Sequence, residues 1–279
     1  MKCCFIPLGN GKKRLQWDIT YTCNMKCLHC CASENRKEYP YNEEDILRVI
    51  DTLRRNNIGK VSISGGEPTM SRHFKYIIKM LWESHFLVGI ISNLYYDIDD
   101  KLKDSLGYIN NITTSIDGTR DIHNRIRGVD CFDDTIHNIE RLCEMGKKVK
   151  VIMTVHDGNI KCLDTTVEML KNIGVEKLML AKITAVGRAL VNKEKLKLTI
   201  DDISFENEVN RLIEKYNYEI ITSECSFIKI ENRNNCLAAK EIFHLDSNLN
   251  LHPCHLNQEF GINIFEPNAF EYVSEIIKH

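Results

Sequence analysis

Residues 17–30 read WDITYTCNMKCLHC and place three cysteines directly after a short apolar strand. The cysteines, Cys23, Cys27 and Cys30, have the spacing C-x3-C-x2-C. Three thiolates this close in one loop can surround one metal ion or one iron–sulfur cluster. Barrel enzymes carry their chemistry at the C-terminal ends of their strands, and this loop follows such an end. The stretch therefore indicates both a fold and a site.

Two kinds of site fit the spacing of this loop. Zinc is held by Cys and His ligands, so the three cysteines with His29 form one candidate set. A [4Fe–4S] cluster ordinarily has four cysteine ligands, so three would leave one iron open to an exogenous ligand. The loop sequence leaves both alternatives open.

A second motif, Gly65-Gly66-Glu67-Pro68, follows the next predicted strand. Paired glycines allow the backbone to approach a ligand closely, and Glu67 offers an acceptor to an ammonium group. In isolation this motif is more often a structural turn. On the strand end next to the cysteine loop, it is a strong indication of a functional site.

Short β-branched runs alternate with longer amphipathic runs up to residue 183, which indicates βαβ units and a parallel sheet. The predicted fold is α/β, a partial (β/α)6 TIM-like barrel over residues 14–190, with a flat doubly wound sheet as the alternative. The rhythm changes near Thr199, and residues 200–279 are predicted to form a small α+β extension. The predicted strands are Leu15–Thr20, Val61–Ser64, Leu87–Ser92, Asn111–Ile116, Val149–Val155 and Glu176–Ile183. One predicted helix begins at about Asn42. The other predicted helices are Arg72–Glu83, Asp99–Leu106, Asp133–Met145, Lys161–Asn172, Asp201–Tyr216 and Asn268–Lys278.

Composition narrows the class of protein. The 279 residues include 37 Lys+Arg and 39 Asp+Glu, a net charge of −2, which argues against a sequence-independent nucleic-acid binder. The sequence shows neither a membrane span nor a secretory segment, so a cytoplasmic protein is expected. In a reducing compartment, 12 cysteines point to metal or redox chemistry rather than crosslinks.

Together these residues resemble the radical S-adenosylmethionine (SAM) enzymes, in particular the subgroup with SPASM or Twitch extensions. The resemblance covers roughly residues 14–255 and continues through further motifs: Ser115-Ile116-Asp117-Gly118, His123, Arg127-Gly128, Thr154, Asn159 and Gly187-Arg188-Ala189. It implies a [4Fe–4S] cluster on Cys23, Cys27 and Cys30 whose open iron binds SAM. One electron would cleave SAM, and the resulting 5′-deoxyadenosyl radical would take a hydrogen atom from the substrate.

The resemblance also implies SAM-binding residues. Gly66 and Glu67 would face the methionine amine, and His29 would lie by the adenine. Ser115 and Asp117 would reach the ribose or carboxylate region. Arg127 and Arg188 are weaker candidates for the carboxylate, and Asn93 is a candidate ligand contact. Structural alternatives stay open for three of these residues: a turn at Asp117-Gly118, an ion pair with a surface acid for Arg188, and a capping role for Asn93.

A looser set of cysteines, Cys225, Cys236 and Cys254, lies near the C-terminus. Scattered buried cysteines are common and inert, but resemblance to SPASM and Twitch enzymes implies an auxiliary [4Fe–4S] cluster here. Those extensions usually carry a glycine five residues before the last cysteine, where this chain has Leu249.

The resemblance favours modification of a ribosomally made peptide, by crosslinking, thioether formation or epimerisation. The alternative is a small-molecule oxidoreductase or cyclase acting on a sugar, nucleoside or cofactor precursor. A flavodoxin or ferredoxin is the expected electron donor. The short segment before the first strand suggests that a separate protein would recognise a peptide leader. A non-catalytic zinc or iron–sulfur binding module is the hypothesis from another class.

Overall fold

The computed structural model describes residues 11–31, 38–223 and 236–276. Strands and helices alternate along most of this length, as the sequence predicted. The strands are β1 (Lys13–Asp18), β2 (Ile58–Ser64), β3 (Leu87–Ile91), β4 (Asn111–Ser115), β5 (Val149–Val155), β6 (Lys177–Lys182), β7 (Ile220–Ser223), β8 (Ile242–Leu245), β9 (Asn250–His252) and β10 (Ile262–Asn263). The helices are α1 (Glu43–Arg55), α2 (Phe74–Glu83), α3 (Ile98–Lys101), α4 (Arg120–Arg127), α5 (Phe132–Glu144), α6 (Leu163–Asn172), α7 (Arg188–Val191), α8 (Asp202–Tyr216) and α9 (Ala269–Ile276).

The strands form one sheet in the order β10-β9-β8-β1-β2-β3-β4-β5-β6-β7. Strands β1 to β7 pair in sequence order and are parallel, and β8 adds in parallel to the free side of β1. Strands β9 and β10 continue antiparallel. This confirms the partial barrel with a C-terminal α+β addition, and excludes the 3-2-1-type strand order of a flat doubly wound sheet.

The hydrophobic core lies between the sheet and the helices. Leu15 and Trp17 of β1 are buried in it with apolar side chains of the helices. Because side chains alternate along a strand, Arg14, Gln16 and Asp18 face the opposite side, the interior of the barrel. The same alternation on other strands gives this interior a largely polar lining, which includes Lys60, Ser62, Thr113, Ser115, Lys150 and Thr154.

Some elements differ from the expectation. The predicted helix Asp99–Leu106 is instead the single turn α3 followed by a 3-10 segment, Lys103–Tyr108. Helix α4 was not predicted, because its sequence RDIHNRIR carries only two apolar residues. Strands β7 and β8 both join the barrel sheet, whereas the division into residues 14–190 and 200–279 stays a prediction. Within the described ranges, no helix is long and apolar enough to cross a membrane.

Candidate active site

The three motif cysteines lie in the loop that leaves the C-terminal end of β1. Cys23 is exposed, Cys30 is half-buried and Cys27 is buried. The loop runs beside the end of β2, where the backbone N–H of Gly66 donates to Thr20 O at 2.7 Å. The N–H of Glu67 donates to Thr22 O at 2.8 Å. These two hydrogen bonds with the end of β2 therefore fix the path of the chain from β1 to Cys23.

The glycine pair permits this close approach of two backbones. A Cβ on Gly66 would lie 2.3 Å from Thr22 O, and one on Gly65 would lie 2.4 Å from Thr20 O. Gly65 also has φ +146°, which L side chains rarely adopt. In this structure the two glycines allow close contact with the cysteine loop, and their approach to a ligand stays a prediction.

Glu67 is fully buried, and its carboxylate accepts four hydrogen bonds. Thr69 donates through its backbone N–H and its hydroxyl, at 3.2 and 2.8 Å. The Ser92 hydroxyl and the Asn93 N–H donate from the end of β3, both at 2.9 Å. Burial raises the pKa of Glu67, and these donors oppose the shift. Glu67 thus ties the ends of β2 and β3 together.

Asn93 extends this connection to the cysteine loop. Its side-chain amide donates to Asn24 Oδ1 at 2.7 Å, and the Asn24 amide donates to Tyr95 O at 3.0 Å. Asn93 Oδ1 accepts from the Tyr95 N–H at 2.8 Å. The segment after β3 is therefore fastened to the residue next to Cys23.

Asp117, just beyond the end of β4, is the centre of a buried polar network. One carboxylate oxygen lies 3.2 Å from His29 Nε2, and the other accepts from Arg127 Nε at 2.7 Å. Its backbone N–H donates to His123 Nδ1 at 3.2 Å. Burial alone would raise the pKa of Asp117, but the Arg127 guanidinium and His29 hold it well below its usual range. The carboxylate is thus ionised.

Arg127 also contacts a motif cysteine. Its Nη1 donates to Cys27 Sγ at 3.7 Å. A backbone hydrogen bond also joins the residues next to Cys27 and Arg127, because the Leu28 N–H donates to Ile126 O at 2.8 Å. Gly128, the left-handed C-cap of α4, lies beside the loop, and an added Cβ would be at an ordinary van der Waals distance of 3.5 Å from Lys26 O. The end of α4 therefore forms one wall of the loop.

The opposite wall comes from the segment that begins α7. Arg188 Nε donates to Cys27 O, and its backbone N–H donates to Cys30 O, both at 2.9 Å. Asn192 donates to Leu28 O at 3.2 Å. A Cβ on Gly187 would lie 2.4 Å from Cys31 O, so only glycine permits this approach. Gly187 and Arg188, matched through their family motif, are here contacts of the cysteine loop.

Ser115 differs from these residues in its position. It is half-buried at the C-terminal end of β4, and the alternation of that strand points it into the barrel interior. It lies two residues before Asp117, whose side chain is enclosed. Ser115 thus faces the barrel interior at the same end of the sheet as the cysteine loop.

The donor chemistry of the loop fits an iron–sulfur cluster. Desolvation raises the pKa of Cys23 to about 11, and burial also raises the pKa of Cys27 against the pull of Arg127. Each thiol must therefore lose its proton to a metal on binding. In residues 11–31, 38–223 and 236–276, no three His, Cys, Asp or Glu side chains are placed to hold a single ion. A cluster does not need that convergence, because each of its cysteines binds a different iron.

Sequence reasoning missed one thiol beside this site. Cys131, at the start of α5, is buried in a small apolar cluster with Met25 and Cys27. Burial raises the pKa of Cys131 to about 11. No spacing motif connects it to the loop, since it comes 101 residues after Cys30 in the sequence. Only the fold places it there.

The C-terminal cysteines are described in part. Cys225 lies outside the described residues. Cys236 and Cys254 are both half-buried, and the chain near Cys236 contacts the residue before Cys254 through Ala239 N–H to Pro253 O at 3.1 Å. Leu249, at the position where extensions of this kind usually carry glycine, has φ +62° in the hairpin between β8 and β9. The backbone there has the left-handed conformation that glycine favours.

The chain is similar to proteins of known family. The family model of the radical SAM superfamily matches residues 17–170. A protein of Saccharolobus solfataricus named Probable GTP 3′,8-cyclase is 31% identical over 185 residues, 64% of this chain and 59% of that relative. The sporulation killing factor maturation protein SkfB of Bacillus subtilis is 29% identical over 196 residues, 68% of this chain and 46% of SkfB. The matched region is thus about half of each relative's length.

Solved structures show the same fold. SuiB of Streptococcus suis, crystallised with its precursor peptide SuiA, superposes with a TM-score of 0.76 at 17% identity, covering 94% of this chain and 64% of SuiB. The enzyme anSMEcpe with bound AdoMet gives 0.66 at 15% identity, covering 96% and 81%. The family match spans more than half of the chain and includes the cysteine loop. The chain is therefore a member of the radical SAM superfamily.

Proposed function

We propose that this protein is a radical SAM enzyme, with Cys23, Cys27 and Cys30 as the ligands of its [4Fe–4S] cluster. The observation that carries the proposal is the presence of three thiols in one preformed loop at the end of β1. When bound, the cluster supplies the electron that cleaves SAM and yields the 5′-deoxyadenosyl radical. The chain itself holds the loop and shields the space above the barrel.

The proposed SAM contacts divide into two groups. Ser115, His29 and the backbone of Gly66 and Glu67 border the barrel opening, and we assign them to SAM. Residues whose side chains contact protein groups around the loop are assigned to its support: Glu67, Asn93, Asp117, Arg127 and Arg188. The second group is defined by side chains that are already hydrogen-bonded to protein. His29 also contacts Asp117 through Nε2, and its assignment to SAM rests on the family resemblance.

A ribosomally made peptide is the proposed substrate. SkfB, whose name describes maturation of a killing factor, is similar over 68% of this chain. We further propose an auxiliary cluster at Cys225, Cys236 and Cys254, which would accept an electron from the substrate. A flavodoxin or ferredoxin would supply the reducing electron, and a separate protein would recognise the leader of the peptide.

One observation favours a second candidate, an anionic small molecule. Arg14 and Lys60 are register neighbours on β1 and β2, and Lys150 lies on β5, all facing the barrel interior. Burial lowers the pKa of Lys60 to about 8, and the positive charges of Lys150 and Arg14 add to the shift. These cations would attract an acidic group in competition with Glu176, whose Oε2 lies 4.0 Å from Lys150 Nζ. The cyclase relatives are named for a nucleotide.

Anaerobic reconstitution tests the core of the proposal. We expect about eight iron and eight sulfide per chain, and cleavage of SAM by the reduced protein. Ala substitution of Cys23, Cys27 or Cys30 should abolish cleavage, whereas Cys236→Ala and Cys254→Ala should retain it and lose product. Cys143→Ala, a half-buried thiol of α5, is the control. Zinc in place of iron, with SAM left intact, would contradict the proposal.

A second assay separates the two substrate classes. SAM cleavage is measured with GTP and, separately, with a short peptide encoded beside the gene. Stimulation by GTP that Lys60→Gln and Lys150→Gln both remove would identify the anionic small molecule. Stimulation by the peptide, with a mass change in it, would identify the peptide.

A further inference from the structure

We propose that Arg127 is a positioning residue that raises the reduction potential of the cluster bound at Cys27. The inference rests on the cluster site proposed above, and it concerns how easily that cluster takes up an electron. The structural observation behind it is the buried hydrogen bond from Arg127 Nη1 to Cys27 Sγ at 3.7 Å. The other motif cysteines have no such guanidinium contact among the described hydrogen bonds.

The contact is held in place independently of the thiol. Arg127 Nε is fixed on Asp117 at 2.7 Å, and the Leu28–Ile126 backbone bond keeps Cys27 and Arg127 in register. The Asp117 carboxylate also lies 3.2 Å from His29 Nε2, so it contacts both Arg127 and the cysteine loop. Arg127 is 7% exposed and Asp117 is 0% exposed, so water screens the charges little.

The electrostatic consequence follows from the charge that reduction adds. An electron from a low-potential carrier of the flavodoxin or ferredoxin class places one more negative charge on the cluster and its thiolates. A guanidinium that donates to one of those sulfurs stabilises the reduced state more than the oxidised state. Hydrogen bonds to cluster sulfurs are among the determinants of cluster potential. Asp117 offsets part of the positive charge but leaves the donated N–H in place.

Three substitutions separate charge from hydrogen bonding. Arg127→Lys keeps the charge, Arg127→Gln keeps a donor without charge, and Arg127→Met removes both. Arg125→Gln, which removes an exposed cation from the same helix, is the matched control. Asp117→Asn combined with Arg127→Met avoids leaving the carboxylate buried without a counter-charge.

The measurement is the midpoint potential of the SAM-site cluster, followed by electron paramagnetic resonance during redox titration. It is made in proteins whose Cys236 and Cys254 are replaced by Ala, so that one cluster is observed. We expect the ratio of reduced to oxidised cluster, at one applied potential, to fall about tenfold in Arg127→Met, equivalent to 59 mV for one electron. The Gln and Lys variants should lie between Met and wild type, and Arg125→Gln should match wild type.

SAM cleavage adds a second readout. Cleavage by Arg127→Met should decrease with a flavodoxin-class donor and recover with a stronger chemical reductant. A wild-type potential in the Met and Gln variants at full iron content would overturn the inference. So would loss of the cluster from all three Arg127 variants and the double variant, because Arg127 would then hold the cluster rather than tune it. A wild-type protein that binds the cluster but leaves SAM intact would instead contradict the proposed function.

Discussion

Asp117 and Arg127 form an ion pair at 2.7 Å whose two side chains are almost completely removed from solvent. The pair joins the end of β4 to the end of α4, and Asp117 also reaches His29 in the cysteine loop. Such a pair is sensitive to the loss of one partner, because the remaining charge has no water to replace it.

Asp117→Asn should therefore lower the free energy of unfolding by about 3–5 kcal/mol. Asp133→Asn, which breaks the exposed pair with Arg120, should cost about 0–1 kcal/mol. Urea unfolding of both variants measures the difference. Equal costs would show that the Asp117 carboxylate has no special place in the fold.

Gly66→Ala should displace the cysteine loop. Its Cβ would meet Thr22 O at 2.3 Å, a backbone atom that cannot rotate away. We expect a cost of about 3 kcal/mol and a decrease in bound iron after reconstitution. Gly107→Ala is the control, since no atom lies within 4 Å of its added Cβ. Full iron content in Gly66→Ala would contradict this role.

Glu67→Gln should weaken the connection between β2 and β3. Each carboxylate oxygen accepts from at least one backbone N–H, so the amide group of Gln must face a donor in either orientation. We expect a loss of about 1–3 kcal/mol in unfolding free energy. Glu83→Gln, in the exposed pair with Lys79, should change it by less than about 1 kcal/mol. Similar losses in both would argue against the buried network.

His123 should make stability depend on pH. Burial, with help from Arg127, lowers the pKa of His123 to about 4 from an ordinary 6.5. Above pH 6.5 both folded and unfolded states carry neutral His123, and its contribution is fully present. As the pH decreases from 6.5 to 4, His123 binds a proton in the unfolded state but not in the folded state. The free energy of unfolding therefore decreases as the pH decreases, by about 3 kcal/mol in total. His123→Gln keeps an acceptor for the Asp117 N–H and lacks this titration.

Urea unfolding at several pH values between 7.5 and 4 compares the two proteins. The stability advantage of wild type over His123→Gln should be constant above pH 6.5 and shrink toward pH 4. An advantage that does not change with pH would mean that folding leaves the pKa of His123 at its ordinary value.

Leu249→Gly tests the departure from the usual hairpin residue. Glycine would relieve about 1–2 kcal/mol of left-handed strain at φ +62°. It would also remove a side chain that is 1% exposed, at a cost of about 2–5 kcal/mol. A net decrease in thermal stability is expected by calorimetry. An increase would mean that backbone strain outweighs the packing of Leu249.

The sequence predicted the parts of this structure that depend on local patterns. Apolar alternation located strands such as Val149–Val155, and the cysteine spacing located the loop because its three cysteines are close along the chain. The support of the loop was not predictable in this way. Arg127 and Cys27 are 100 positions apart, and their contact depends on how α4 ends against the loop.

Residue type alone also does not show which protein groups a motif residue contacts. Glu67 was assigned to an ammonium group because a carboxylate can bind one, and this stays a prediction. The structure adds four hydrogen bonds from protein donors to its carboxylate. Gly66 was assigned to ligand approach, and its close neighbour is the backbone at Thr22. The glycine pair indicates that the backbone approaches another group closely, and the fold shows which protein group lies there.

The pairing of β1 with β8 bears on synthesis of the chain. Trp17 is in register with Leu245, which leaves the ribosome more than 200 residues later. During translation one edge of β1 therefore has no strand beside it, next to the thiols proposed to bind the cluster. An open edge of this kind invites pairing with other chains. Nascent protein would consequently be prone to aggregation through this edge in the interval before residues 242–245 emerge.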